Sequence, residues 1–153
     1  VSDSGFMVGL HVRGICCLRP GVAGLGENIQ FVSIVDRYLE HARIAYFYHG
    51  GDEQVVISSA DWMPRNLDRR VELLVPVDDV ACQKRLIAIL ETYFDDNVKA
   101  TWLQPDGSYQ PVAGKPPFRC QSVHYEEACD RVRAAKESSR NVFIPYHSEE
   151  ELD

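Results

Sequence analysis

The expected fold is decided by residues 38–72, which read YLEHARIAYFYHGGDEQVVISSADWMPRNLDRRVE. Residues 44–48 and Gln54–Ser58 are rich in β-branched and aromatic side chains, and Gly50 with Gly51 supplies a turn between them. This pattern predicts two strands that belong to a sheet. The same stretch places a histidine and several arginines around a Ser-Ser-Ala-Asp turn, which marks it as the candidate site.

The patterns outside this stretch add further strands and two helices. Alternating or β-branched runs predict strands at residues 6–12, 29–35, 70–77, 98–103 and 109–112. Asp78 or Asp79 is placed to cap a helix whose apolar spacing fits it to one sheet face, and a polar helix is predicted at residues 119–136. The sequence therefore predicts an α/β fold with a mixed β-sheet flanked by helices.

Composition bounds the class of protein. A chain of 153 residues with 45% hydrophobic content can bury one core, so a single globular unit is expected. A net charge of −7 and an isoelectric point near 5.2 argue against bulk attraction to nucleic acid. No apolar run approaches the roughly 18 residues of a membrane span, so we expect no transmembrane segment and a cytoplasmic location. The five cysteines lack C-x-x-C spacing, which predicts reduced, mostly buried thiols and no zinc or other metal site.

The cations are unevenly distributed along the chain. Residues 1–70 contain seven arginines, and the first lysine is Lys84. A guanidinium group matches two phosphate oxygens at once, and an imidazole can carry or donate a proton to a phosphate. The arginine-rich half of the chain therefore indicates a phosphoanhydride or phosphoester ligand.

Two residues are the main candidates for that site. Arg13 ends an apolar strand and enters a glycine-containing loop, so its side chain should emerge at the sheet edge where α/β proteins bind ligands. His41 precedes Arg43 at the entrance to a strand, where an imidazole could protonate a phosphate oxygen. His11 would share the strand face of Arg13, but we interpret it as structural.

A second group of donors follows the Ser-Ser-Ala-Asp turn. It consists of Ser58, Ser59, Arg65 and Asn66. Phosphate contact and buried pairing of Arg65 with Asp61 or Asp68 are both compatible with this pattern.

Three ordered motifs resemble a known family. VRGICCLRPGV at residues 12–22, SIVDRYLEHARIAYF at 33–47 and SSADWMPRNLDRRVE at 58–72 closely resemble the C-terminal domain of bacterial polyphosphate kinase, the type that works through a phosphohistidine. The resemblance extends over residues 5–106. It implies a fold like one phospholipase D half, although Arg43 stands at the lysine of the phospholipase D signature and Asp61 at its asparagine.

The resemblance also implies a domain organisation and a reaction. Residues 1–113 would form the phospholipase D-like catalytic domain, truncated at its start, and residues 114–153 a C-terminal helix with a mobile acidic tail. The reaction would be reversible transfer of the ATP γ-phosphate to inorganic polyphosphate through a phosphohistidine on a missing domain. This chain would then supply half of an active site and be inactive alone.

The family's nucleotide-binding positions correspond to Arg13 and His41, and His41 is the catalytic candidate. Phosphate contacts are expected of Arg43, Ser59, Arg65 and Asn66. Mg²⁺ is expected from the family, with its ligands outside this chain. The implied partners are ATP, inorganic polyphosphate and the remaining domains of the same enzyme, while a homo-oligomer and peripheral membrane association stay open.

Two alternatives remain at this point. A lone domain could be a noncatalytic polyphosphate- or phosphate-binding module. A phospholipase D-like phosphodiesterase would instead need His41 itself as the nucleophile, in a dimer of two such halves.

Overall fold

The computed structural model of this chain describes residues 6–14 and 16–137. Within these residues, seven strands and three helices follow in the order β1 (Val8–His11), β2 (Ile29–Ile34), β3 (Ile44–Phe47), β4 (Gln54–Ser58), α1 (Pro64–Arg69), β5 (Leu74–Pro76), α2 (Val80–Asp95), β6 (Ala100–Leu103), β7 (Tyr109–Pro111) and α3 (Cys120–Glu137). A 3-10 turn at His49–Gly51 joins β3 to β4. The α/β class predicted from the sequence is confirmed.

The first sheet is mixed and contains the core strand. Its order is β1-β2-β6-β7, with β1 parallel to β2 and the other pairs antiparallel. Strand β2 is central, and its side chains Phe31, Val32 and Ile34 are fully buried. This apolar run is typical of a strand covered on both faces. Because β1 and β2 are parallel, their carboxyl ends lie at the same edge of the sheet.

The second sheet is antiparallel, with the order β3-β4-β5. Gly50 and Gly51 have φ values of 69° and 104°, a conformation that favours glycine, and they reverse the chain between β3 and β4 as the sequence predicts. Val55 on β4 is almost completely buried. The strands thus divide between two sheets rather than forming one.

Helix α2 covers strands of both sheets. Its N-terminus is capped by Asp79, whose carboxylate accepts a hydrogen bond from the Cys82 N–H at 2.8 Å. Phe94 packs directly on β1, since a Cβ atom on Gly9 would lie 2.9 Å from its ring. The core between helix and sheet contains Val32, Ile34, Ile89, Leu90, Tyr93, Phe94, Ala100, Val112, Phe118 and Cys120.

Local predictions differ from the structure around the Ser-Ser-Ala-Asp turn. The strand predicted at residues 70–77 forms only at Leu74–Pro76. Regular pairing ends at Leu74. The Ser59 N–H donates to the Leu73 carbonyl, but the Leu73 N–H donates to the side-chain Oγ of Ser59, both at 3.0 Å. The short helix α1, with Pro64 at its first turn, was not predicted.

The expectation of mostly buried cysteines is wrong. Only Cys120 is buried among the five, while Cys17 and Cys82 are exposed. Cys120 differs from the others because it begins α3 within the core cluster, whereas Cys82 is exposed in the first turn of α2.

The chain divides into two compact units, Val1–Gln121 and Ser122–Asp153. The domain boundary after residue 113 stays a prediction, and the acidic tail lies outside the described residues. Within residues 6–14 and 16–137, no helix combines the length and apolar character needed to cross a membrane.

Candidate functional site

The candidate site lies where the parallel strands β1 and β2 end. Pairing continues one residue past β1, with the Val12 N–H donating to the Val32 carbonyl at 3.0 Å, and the exposed Arg13 follows. A cavity of about 290 Å³ opens here, lined by Arg13, Ile34 and residues 35–39. Crevices at the carboxyl ends of parallel strands are where α/β proteins bind ligands, so the local geometry suits a ligand.

Arg13 reaches across this edge to the segment that carries His41. Its Nη1 donates to the main-chain carbonyl of Glu40 at 2.6 Å. That carbonyl belongs to the peptide group that joins Glu40 to His41. The two nucleotide-binding candidates, 28 positions apart in sequence, therefore meet at one peptide group.

Arg43 connects His41 to Asp61. Arg43 Nη2 lies 3.2 Å from His41 Nε2, and Arg43 Nε donates to Asp61 Oδ1 at 2.8 Å. A guanidinium has no acceptor, so Nε2 must accept in this contact. A neutral His41 that accepts in this contact carries its proton on Nδ1, and this donor lies on an exposed side chain.

The negative charge of Asp61 is stabilised by its contact with Arg43. Its hydrogen bond from Arg43 lowers the pKa of the carboxyl against the opposing effect of burial, and the charge of Arg43 lowers it further. An ionised Asp61 fixes the guanidinium of Arg43, which in turn orients the imidazole of His41. Asp61 thus pairs with Arg43 rather than with Arg65.

The remaining predicted donors are placed differently. Ser59 Oγ donates to the Glu72 carboxylate and accepts from the Leu73 N–H, so its hydroxyl already has partners in the loop. Asn66 is buried at 2% exposure and contributes a hydrogen bond that helps to lower the pKa of Asp61. Arg65 is exposed on α1. Direct phosphate contact by these three residues stays a prediction.

Sequence reasoning missed the residues that support this edge. Arg119 forms a bidentate pair with the nearly buried Asp36, with Nε 2.7 Å from Oδ2. That hydrogen bond lowers the pKa of Asp36, although burial opposes the shift. The partners are 83 positions apart in sequence, and no local pattern joins them.

Gln121 was missed for the same reason. It is buried, and its side chain forms hydrogen bonds to Tyr38 and Glu40. Both partners lie more than 80 positions earlier in the chain, in the segment that leads to His41.

His11 belongs to the packing beneath the site. Its ring stacks on Tyr93 with centroids 4.3 Å apart and 18° between the planes. Burial lowers the pKa of His11, while the charge of Glu40 opposes the shift and that of Arg13 adds to it. This placement agrees with its interpretation as a structural residue.

Across residues 6–14 and 16–137, no three His, Cys, Asp or Glu side chains converge in a way that could hold a metal ion. The described residues thus offer arginine and histidine donors to an anion and no ligand set for Mg²⁺.

Fold and site together define an α/β domain with an arginine–histidine cluster for anions at the ends of two parallel strands. The sequence family described as polyphosphate kinase C-terminal domain 2 matches residues 1–121. The polyphosphate kinase of Rhodopirellula baltica is 55% identical over 145 residues, which cover 93% of this chain and 17% of that relative. The polyphosphate kinase of Pseudomonas aeruginosa is 47% identical over 138 residues, covering 88% of this chain and 20% of the relative.

A solved structure shows the same fold. The crystal structure of polyphosphate kinase from Porphyromonas gingivalis superposes with a TM-score of 0.80 at 39% identity, covering 87% of this chain and 21% of that one. This chain belongs to the polyphosphate kinase C-terminal domain family. It spans about a fifth of the length of the relatives it matches.

Proposed function

We propose that this chain supplies the C-terminal part of a polyphosphate kinase active site. The reaction is reversible transfer of the ATP γ-phosphate to the end of inorganic polyphosphate, through a phosphohistidine on another domain. The observation that carries the proposal is the meeting of Arg13 with the Glu40–His41 peptide, beside the His41–Arg43 contact.

In the first step of this reaction, a histidine nitrogen on the other domain attacks the γ-phosphorus. The bond to the β–γ bridging oxygen breaks, and ADP leaves. In the second step, the terminal oxygen of polyphosphate attacks the same phosphorus and the P–N bond breaks. Phosphoryl transfer depends on positioning and on charge stabilisation, which arginine donors provide.

The side chains of this domain would act on the charge that moves in both steps. The N–H groups of Arg13 that do not bind Glu40 donate to phosphate oxygens, and the Nδ1–H of His41 donates to the oxygen that gains charge. Arg43 is held by Asp61, so it orients His41 and adds positive charge. The family implies Mg²⁺ as well. Ligands on other parts of the enzyme would hold this ion, and it would offset the negative charge of the phosphates.

The contact between Arg43 and His41 also bears on the phosphodiesterase alternative. A nucleophilic imidazole needs a free nitrogen lone pair. In a neutral His41 whose Nε2 accepts from Arg43, that lone pair is occupied and the other nitrogen carries the proton. His41 is better suited to donate a hydrogen bond than to attack phosphorus. This geometry favours the kinase role over the phosphodiesterase role.

The test uses the chain alone and a chimera in which it replaces the matched fifth of the Pseudomonas aeruginosa polyphosphate kinase. The chimera should lengthen polyphosphate with ATP, and the chain alone should bind ATP or polyphosphate without lengthening it. Chain growth by the isolated chain would contradict the need for a second domain. A folded chimera that transfers no phosphate would overturn the proposed function. If the chain alone also binds neither ATP nor polyphosphate, the binding-module alternative is excluded as well.

A further inference from the structure

Gln121 makes an unusual set of contacts for a glutamine. Its side chain is 5% exposed, its Oε1 accepts from the Tyr38 N–H at 2.8 Å, and its Nε2 donates to the Tyr38 carbonyl at 2.9 Å and to Glu40 Oε1 at 2.6 Å. Both amide hydrogens are therefore used. On the Tyr38 side, both bonds involve main-chain atoms. Gln121 therefore fixes the backbone at position 38 whatever the side chain there.

Glu40 transmits this constraint to the candidate site. Its carboxylate is held by Gln121 and also by a hydrogen bond with Tyr93, while its carbonyl accepts from Arg13. The residue next to His41 is thus held at both its side chain and its main chain. A shift of Glu40 would displace Arg13 and His41 together.

The chain around Gln121 is anchored by other bonds as well. The Cys120 N–H donates to Asp96 Oδ2, and the Phe118 N–H donates to Asn97 Oδ1, both at 2.8 Å. These contacts anchor the chain just before Gln121 to the core. The start of α3 thus has anchors besides Gln121, whose amide bonds only to the segment at the ligand edge.

We propose that Gln121 is a positioning residue for phosphate transfer: it holds the main chain of residues 38–40 so that Arg13 and His41 present their donors to one phosphate. The proposal rests on the proposed function. It predicts that disturbing the amide of Gln121 reduces turnover more than it reduces substrate binding, because misplaced donors serve the transition state poorly.

The test is the substitution Gln121→Glu, which keeps the shape and changes the hydrogen bonding. A carboxylate cannot donate to the Tyr38 carbonyl, and it faces the carboxylate of Glu40. Gln83→Glu is the matched control, since Gln83 Nε2 also donates to a main-chain carbonyl, that of Val77, at 2.7 Å. In the chimera, we expect kcat to fall about tenfold or more for Gln121→Glu, with KM changed less than kcat, and to stay within about twofold for Gln83→Glu.

Two further readouts separate positioning from loss of structure. The double variant Gln121→Glu with Glu40→Gln restores a donor–acceptor pair between the two side chains but not the bond to the Tyr38 carbonyl. It should therefore recover part of kcat, and a double variant no more active than Gln121→Glu would contradict the role of the Gln121–Glu40 contact. In the isolated chain, ¹⁵N NMR of the His41 ring should show the Nδ1–H tautomer, and Gln121→Glu should shift that signal while Gln83→Glu does not.

Equal losses of kcat in the two single variants would overturn the proposal, as would an unchanged His41 signal in Gln121→Glu. The NMR comparison needs no phosphate transfer. If the unsubstituted chimera is folded and inactive, the proposed function fails, and the positioning of His41 by Gln121 is still decided by the NMR result.

Discussion

Two polar clusters of this domain use their hydrogen bonds in opposite ways. Asp96 is fully buried, and its two oxygens accept from the main-chain N–H groups of Val98, Lys99, Ala100 and Cys120. Arg13 and His41 are exposed, and the contacts described above use only some of their N–H donors. A saturated buried carboxylate holds chain segments together, whereas exposed donors fixed in place are suited to a ligand.

The difference extends to electrostatics. Burial alone would raise the pKa of Asp96, but the N–H groups of Lys99, Cys120 and Val98 outweigh burial and leave the pKa below its usual value. Asp61, in the exposed cluster, has a lowered pKa because of one charged partner, Arg43. The buried cluster thus stabilises its charge with main-chain dipoles, and the exposed cluster does so with a side chain.

The largest effect on stability is expected from Asp96→Ala. This change leaves four main-chain N–H groups without their acceptor, and the free energy of unfolding should fall by about 3 kcal/mol or more. Urea unfolding followed by circular dichroism measures it. Asp95→Ala is the matched control, because Asp95 is exposed. Equal stability of the two variants would show that Asp96 does not hold these segments together.

The largest effect on activity is expected from His41→Ala in the chimera. Removing the Nδ1–H donor should lower kcat about tenfold or more, while the unfolding midpoint should change little because the side chain is exposed. His49→Ala, at the distant turn between β3 and β4, serves as control. A kcat within twofold of that control would remove His41 from the site.

Arg13→Lys should have a similar or smaller effect than His41→Ala. The charge is kept, but an ammonium cannot bind the Glu40 carbonyl and a phosphate with the fixed geometry of a guanidinium fork. We expect kcat to fall about tenfold, with no loss of folding stability. Arg133→Lys, on the exposed side of α3, is the control. Steady-state kinetics of phosphate incorporation from ATP into polyphosphate measure the effect, and equal kcat values for Arg13→Lys and Arg133→Lys would contradict it.

A smaller effect is expected in acid. The folded pKa values of Asp96, Asp36 and Asp61 lie below their unfolded values, so the unfolded state binds more protons in between. The stability these groups contribute is therefore present above about pH 4 and lost as pH falls through the folded pKa values. Unfolding free energies measured from pH 3 to 7 should decline on the acid side. Asp96→Asn should flatten that decline more than Asp95→Asn does, and equal slopes would contradict it.

The smallest effect is expected from Ser59→Ala. The hydroxyl of Ser59 joins the loop to Glu72 and Leu73, so its loss should cost about 1 kcal/mol of stability. If the hydroxyl contacts only these groups, kcat of the chimera should stay within twofold. A tenfold loss of kcat without loss of stability would instead support Ser59 as a phosphate ligand.

Local sequence patterns were sufficient for most of the fold. The strand Gln54–Ser58, the glycine turn before it and the Asp79 cap of α2 follow from side-chain spacing within a few residues, and the structure confirms them. The early end of β5 coincides with the bond between the Leu73 N–H and Ser59 Oγ, which are 14 positions apart. No window of local sequence contains that contact.

The site was predictable only in part. Arg13 and His41 could be chosen from residue type and family motifs, and the pairing of Arg43 with Asp61 could have been suspected from opposite charges 18 positions apart. Gln121 and Asp96 gave no signal, because a glutamine or aspartate acquires such a role only when the folded chain brings distant main-chain groups to it. Their identification required the three-dimensional structure.

Residues 118–121 have a consequence for how this domain can vary in length. Each of these four consecutive residues bonds to a distant partner: Phe118 to Asn97, Arg119 to Asp36, Cys120 to Asp96 and Gln121 to Tyr38 and Glu40. A single inserted or deleted residue here would turn the start of α3 by about 100° and place these main-chain and side-chain groups opposite the wrong partners. Length changes should therefore be tolerated in the exposed turn at residues 105–108 and rejected at residues 118–121, even where every inserted residue is itself a good helix former.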